Sequence, residues 1–178
     1  MDVSSDASGV HFESEGAQPL FYQLSESGFD LEPPTKVIKN RLEVFRELKS
    51  EKGEPITAAT LDSKVYVHVL VRALDQAVGD VAVVDLLPGG FEVDLSPEGL
   101  GNRTSIEDGP DAWKPDFIDV REDRVIFFGR VETDAKRFVY RLRPTNRGKF
   151  AVAPTLAEGM YDRTALARSL GSTVAVEK

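Results

Sequence analysis

The chain contains no cysteine. That excludes disulfides, thiolate metal centres and a cysteine nucleophile, and it leaves the compartment open, because envelope proteins lack cysteine as readily as cytosolic ones. Histidine is nearly absent as well, with only His11 and His68, so a histidine-based triad or a zinc site has almost nothing to draw on. Basic charge is not in excess: 22 Lys and Arg against 30 Asp and Glu leave a net charge of −8. That balance argues against nucleic acid, whose phosphates need clustered cations. No apolar run approaches the ~18–20 residues of a membrane span. The opening MDVSSDASGV has no basic region followed by an apolar core, so no signal peptide is expected in it. No motif calls for a cofactor or a metal, and none is expected.

What is present is a series of short β patterns, in a chain of 178 residues that is long enough for one domain with a sizeable core. Lys64–Ala73 (KVYVHVLVRA) alternates, with Val65, Val67, Val69 and Val71 on one face and Tyr66, His68, Leu70 and Arg72 on the other. Val81–Val93 (VAVVDLLPGGFEV) reads as a buried strand broken by Pro88-Gly89-Gly90, with a second short strand restarting at Phe91. Further strands are expected over Asp116–Arg121, Arg124–Phe128, Lys136–Arg143, Lys149–Ala153 and Thr173–Val176. Val10–Glu15 and Pro19–Ser25 form a candidate hairpin, and residues 1–9 are expected to be disordered. Val37–Lys49 (VIKNRLEVFRELK) supports two readings. Helical spacing groups Leu42, Phe45 and Leu48, whereas period two aligns Ile38, Leu42, Val44 and Leu48 with Asn40 and Arg46 as misfits; the surrounding β pattern favours strand. One short helix is expected at Thr164–Leu170, capped by Asp162 and ended by Gly171. Many short strands with hardly any helix imply an all-β, antiparallel β-sandwich.

Several segments, in order, resemble the C-terminal macroglobulin-like domain of bacterial alpha-2-macroglobulins. They are PLFYQLSESGFD, NRLEVFREL, KVYVHVLVRA, VAVVDLLPGGFEV, FIDVREDRVIFFG and FVYRLRPTNRGKFAVAPTLAEGMYD. The resemblance runs from Val10 to the C-terminus, with residues 10–35 as a hairpin shared with a preceding domain. It implies a fragment of a large, inner-membrane-anchored, periplasmic protease inhibitor. In that family bait cleavage lets an internal Cys–Gln thioester capture the attacking protease. With no cysteine, this chain holds no thioester itself. The partners implied are the thioester domain of the same full-length chain and the trapped proteases; the alternative reading is a protein-interaction module that recruits cell-envelope partners of the inhibitor complex. The residues matching the family's contact with the thioester domain are Met160 and Tyr161. A polarizable Met–Tyr pair makes a suitable apolar plug, although the same pair can equally close this domain's own core.

Other candidates are weaker. Asp85, if buried, needs a partner, and Arg72, Arg141 and Arg143 are the candidates across strands. His68 reads as a packed residue in a valine-rich strand. Glu107, Asp108, Asp111, Asp116, Asp119, Glu122 and Asp123 do not follow a calcium-loop spacing and read as a solvated acidic surface. Asn102-Arg103-Thr104 is a formal sequon. The polar stretch Leu95–Pro115 is long for a compact domain and is a candidate partner-binding loop, with Trp113, Arg103 and Asp111 as its contacts if the tryptophan is exposed, and with packing back onto the sandwich as the alternative. No convergent nucleophile, base and oxyanion donors can be assembled, so an enzyme is not expected.

Overall fold

The computed structural model describes residues 9–13, 19, 21–23 and 33–178, and the chain divides into two units, Met1–Leu31 and Glu32–Lys178. In the first unit the Phe12 and Tyr22 rings stack with centroids 4.4 Å apart. The described positions between Val10 and Gln23 belong to no strand. The rest of the expected hairpin, and of the expected disordered stretch all but Gly9, lies outside the described residues.

The second unit contains thirteen strands. They are β1 (Ile38–Asn40), β2 (Leu42–Lys49), β3 (Ala58–Thr60), β4 (Val65–Ala73), β5 (Val78–Leu86), β6 (Phe91–Val93), β7 (Phe117–Val120), β8 (Arg124–Val131), β9 (Lys136–Pro144), β10 (Gly148–Val152), β11 (Leu156–Gly159), β12 (Leu166–Arg168) and β13 (Ser172–Glu177). A six-stranded antiparallel sheet runs β1-β12-β11-β5-β8-β7, and a four-stranded antiparallel sheet runs β2-β4-β9-β6. A three-stranded sheet, β10-β13-β3, contains one parallel pair, β13 with β3. The all-β sandwich expected from the alternating patterns is the observed fold.

The two larger sheets face each other across the core. Phe127 of β8 meets Phe138 and Tyr140 of β9, with ring centroids 4.7 and 6.0 Å apart, and all three rings are fully buried. Removing each such side chain from water stabilises the fold by roughly 1.5–3 kcal/mol. The valines Val65, Val67, Val69 and Val71 project from β4 into the same layer. Pro88–Phe91 forms a turn closed by the Phe91 N–H donating to the Pro88 carbonyl at 3.2 Å, with Gly90 at φ +81°. A side chain at Gly90 is excluded twice, by that left-handed backbone and by the Phe150 ring, which lies 2.5 Å from where a Cβ would sit. The PGG break in the valine strand is therefore a tight turn over which Phe150 packs.

Two sequence expectations change. The Val37–Lys49 run is strand, but as β1 and β2 in different sheets, broken at Arg41, whose φ is +58°. The helix expected at Thr164–Leu170 is absent: Leu166–Arg168 is β12, paired with β1 on one side and β11 on the other. A seven-residue helix is marginal by itself, and two flanking strands satisfy the backbone better. Asp162 does cap, but it caps a turn: its Oδ1 accepts the Thr164 N–H at 3.0 Å and the Thr164 hydroxyl at 2.6 Å.

Candidate protein-interaction site

Met160 and Tyr161 form the tip between β11 and β12. Met160 is 50% exposed and Tyr161 84% exposed, and neither belongs to the domain's own core. The backbone beneath them is held at several points. Gly159 donates to the Ala165 carbonyl at 2.9 Å, Met160 to the Asp80 carbonyl at 2.8 Å, and Ala165 to the Asp162 carbonyl at 3.0 Å. A Cβ on Gly159 would lie 2.7 Å from the Asp162 carbonyl, so this reversal requires glycine. Arg41 then ties three segments together. Its guanidinium pairs with Asp162 and, at 3.4 Å, with Asp75 of the β4–β5 turn, while its carbonyl accepts the Leu74 N–H at 2.9 Å. The Asp162 carboxyl is held below the usual carboxylate range, first by the Thr164 hydrogen bonds and then by Arg41. The tip thus carries two large, exposed apolar side chains on a backbone held by hydrogen bonds and by Arg41.

The long polar stretch is not a free loop. It runs along the β9 edge beyond β6: Asp94 donates to the Arg141 carbonyl at 2.9 Å, Ile106 to Val139 at 2.8 Å and Trp113 to Arg137 at 2.7 Å. It therefore covers a strand edge that would otherwise invite aggregation. Gly99 and Gly101 allow its tight start, where a Cβ would strike the Asp94 and Leu95 carbonyls at 2.1 and 2.4 Å. Asp94 accepts from Arg141 at 2.6 Å and from the Ser96 N–H at 2.9 Å; burial opposes its ionisation, but these bonds outweigh that and lower its pKa.

Trp113 is only 4% exposed. Its indole N–H donates to the Arg130 carbonyl at 3.0 Å, and its ring lies 5.9 Å from Phe127. As a surface contact it is corrected: it is the loop's anchor in the core. Arg103 and Asp111 stay exposed, with Arg103 donating to the Ile118 carbonyl at 3.2 Å and Asp111 paired with Arg137 at 3.0 Å. Arg103 also lines a cavity of about 480 Å³, together with Ser105, Trp113, Lys114 and Phe138, among others. The acidic residues of this region disperse among cations rather than converging. Glu107 and Asp111 face Arg137, Asp119 faces Arg121, and Asp123 faces Arg124. Among the described residues no group of three or more could hold a metal ion.

His68 points outward from β4 yet is 5% exposed, with Glu107 of the loop 4.0 Å from Nε2 and Nδ1 unpartnered. Burial holds its pKa below the usual histidine value, against the opposing pull of Glu107.

Asp85 is fully buried, but its partner is none of the three arginines expected. Arg72 pairs with Glu43, Arg141 with Asp94 and Arg143 with Glu92, all on the outer face of the four-stranded sheet. Instead Arg46, whose side chain is 5% exposed, reaches inward from β2 and donates to Asp85 at 2.5 Å. The Tyr140 hydroxyl donates to the other carboxylate oxygen at 2.7 Å, and Thr155 Oγ1 donates at 3.1 Å. Arg46 also donates to the Leu86 and Ala153 carbonyls at 3.1 and 2.6 Å. Burial, with the Asp85 carboxylate beside it, pushes the Tyr140 hydroxyl pKa well above its ordinary value. This set joins both sheets and the β10–β11 connection. Sequence reasoning missed Arg46, although it is the one charged residue on the inward phase of β2.

A sandwich built this way, helix-free among its described residues and with one buried ion pair, Arg46–Asp85, linking its two larger sheets, is a macroglobulin-like β-sandwich domain. The model of the bacterial alpha-2-macroglobulin MG10 domain matches residues 42–163, and the chain belongs to that family. It is 40% identical over 96% of its length to an alpha-2-macroglobulin homolog of Yersinia pestis, covering 9% of that protein. It is also 32% identical over 94% of its length to the alpha-2-macroglobulin of Pasteurella multocida, covering 8% of it. The chain thus spans less than a tenth of these relatives. Among solved structures, native Escherichia coli alpha-2-macroglobulin has the same fold, with a TM-score of 0.72 at 23% identity over 85% of this chain and 10% of that one.

Proposed function

We propose that this domain is a non-catalytic part of a periplasmic, inner-membrane-anchored protease inhibitor. In that protein it docks on the thioester domain and keeps the thioester shielded until a protease cuts the bait. The observation that carries the reading is the tip itself: Met160 and Tyr161 stand exposed on a backbone pinned by Arg41, Asp80 and Asp162. A thioester survives only where water and amines are kept away, and a thioether beside an aromatic ring is an adaptable apolar cover. Separation of the two domains after cleavage would uncover the bond as a two-state packing change. The test is made in the full-length inhibitor. Met160→Ala and Tyr161→Ala should each speed methylamine inactivation of protease capture, and unchanged inactivation in both would remove the shielding role.

A second reading, recruitment of envelope proteins, is supported by the cavity of about 480 Å³ whose lining includes Arg103 and Asp108. Pull-downs with Arg103→Glu, a change on the exposed rim, test it. Retention of every envelope partner by that variant would count against it.

A further inference from the structure

Within residues 32–178 His68 is the only histidine, and the loop Leu95–Pro115 closes over it. It sits on the outer face of β4, with Glu47 of β2 opposite on one side and Val139 of β9 on the other. Ile106 of the loop donates its N–H to the Val139 carbonyl at 2.8 Å, and the Ser105 hydroxyl accepts the Val139 N–H at 3.0 Å. Glu107 follows, with its carboxylate 4.0 Å from His68 Nε2. Val139 is fully buried although it faces away from the core cluster, so the same segment covers it as well. Under this cover the imidazole is buried and its Nδ1 has no hydrogen-bond partner.

The charges that face His68 already balance. Glu107 of the loop pairs with Arg137 of β9 at 3.0 Å, and Glu47 of β2 pairs with Lys49 of the same strand at 3.2 Å. On β4 itself, Tyr66 shares the outward face two residues away. A proton on His68 therefore adds a positive charge that no free carboxylate answers. It also gives the ring two N–H groups. One can turn to Glu107, while the other, at Nδ1, meets no acceptor as long as the loop is closed. The cover is light at this point and firm on either side. At one end the Asp94 N–H bonds the Arg141 carbonyl at 2.9 Å, and at the other Asp111 and Trp113 bond the Arg137 backbone, each at 2.7 Å. The segment between them can leave β9 without disturbing either large sheet.

We propose that Ser105–Asp108 is an acid-opened flap: uptake of one proton by His68 lifts it from β9 while both large sheets stay folded. Lifting frees the N–H and carbonyl of Val139 on the β9 edge. It also moves Ser105 and Asp108, which line the cavity of about 480 Å³, so the rim of that cavity changes with pH. Native-state amide exchange of the 178-residue chain, read by NMR in low urea and corrected for intrinsic rates, tests the proposal. From about pH 7.5 to about pH 5.5 the Ile106 and Val139 N–H groups should exchange several-fold faster. The limit is roughly tenfold, set by one proton taken up in the open form at the ordinary histidine value of 6.5. Their exchange should not respond to urea below the unfolding transition, whereas that of Val67 and Val69 in β4 should. His68→Phe fills the site and cannot be protonated, so it should lose the acid response, and His68→Gln makes the same comparison without the ring. An Ile106 rate that ignores pH, or an acid response that survives these substitutions, would overturn the flap. So would a urea dependence of Ile106 equal to that of β4, which would mean global unfolding instead.

Discussion

Replacing Arg46 by methionine keeps the length and apolar stem of the side chain and removes the charge that Asp85 faces. The Asp85 carboxylate would then be left fully buried with only the Tyr140 and Thr155 hydroxyls as donors. The Leu86 and Ala153 carbonyls would lose their guanidinium donor at the same time. Removing one partner of a buried ion pair typically costs about 3–5 kcal/mol. That is a large share of the roughly 5–15 kcal/mol by which whole domains are stable. At about 2–4 °C per kcal/mol for a domain of this size, the melting temperature should fall by about 6–20 °C. Tyr140→Phe removes one hydrogen bond to the carboxylate and should cost about 1.5–3 kcal/mol, the range for a bond to a charged group. The pair itself need not be worth its desolvation, so Arg46→Met combined with Asp85→Leu should recover much of the loss. Urea titrations of the wild type, Arg46→Met, Asp85→Leu and the double variant, followed by circular dichroism, give the four stabilities of the cycle and the coupling between positions 46 and 85. A loss below about 1 kcal/mol for Arg46→Met, or additive losses in the double variant, would refute the cross-link as described.

Three further outcomes follow from the geometry. His68 has its folded pKa lowered by burial below 6.5, so between these two values the unfolded chain binds a proton that the folded chain does not. Stability should therefore be complete above pH 6.5 and decline as pH falls through that window, and His68→Gln should flatten the decline in pH-dependent urea melts; an unaltered slope would contradict it. Arg41→Gln should raise hydrogen exchange at Met160–Thr164 and speed chymotryptic cleavage after Tyr161 while β4 and β8 stay protected, and unchanged exchange at the tip would show that Arg41 does not hold it. Gly90→Ala must adopt φ +81° against the Phe150 ring and should cost more than the ~1 kcal/mol of an ordinary backbone misfit, read as a lowered urea midpoint.

The fold was largely legible because alternation is a local signal. The β4 valines face the core and their neighbours face outward, as the period-two pattern requires. The short strands β3, β11 and β12 were not legible. AAT, LAEG and LAR carry little intrinsic β preference and become strands only because neighbours supply hydrogen bonds. Arg46 marks the same boundary. Period two flagged it as a misfit in one strand, and Asp85 stood alone among apolar residues in another. Two opposite charges on inward phases were the available signal for pairing them, but which strands would face each other was a matter of topology. Trp113 was ambiguous for a related reason: its neighbours are polar, and only the three-dimensional path of the loop brings it against Phe127. At the tip, sequence resemblance named Met160 and Tyr161, while the supporting positions Arg41, Asp80 and Gly159 became apparent only from backbone geometry.

A photoreactive amino acid placed at position 161 of the full-length protein, with its cross-links mapped by mass spectrometry, tests the proposed docking of the tip on the thioester domain. In the uncleaved protein the expected cross-link is to the segment that carries the thioester, and it should be lost once a protease has cut the bait. Cross-links elsewhere, or the same cross-link before and after cleavage, would contradict it.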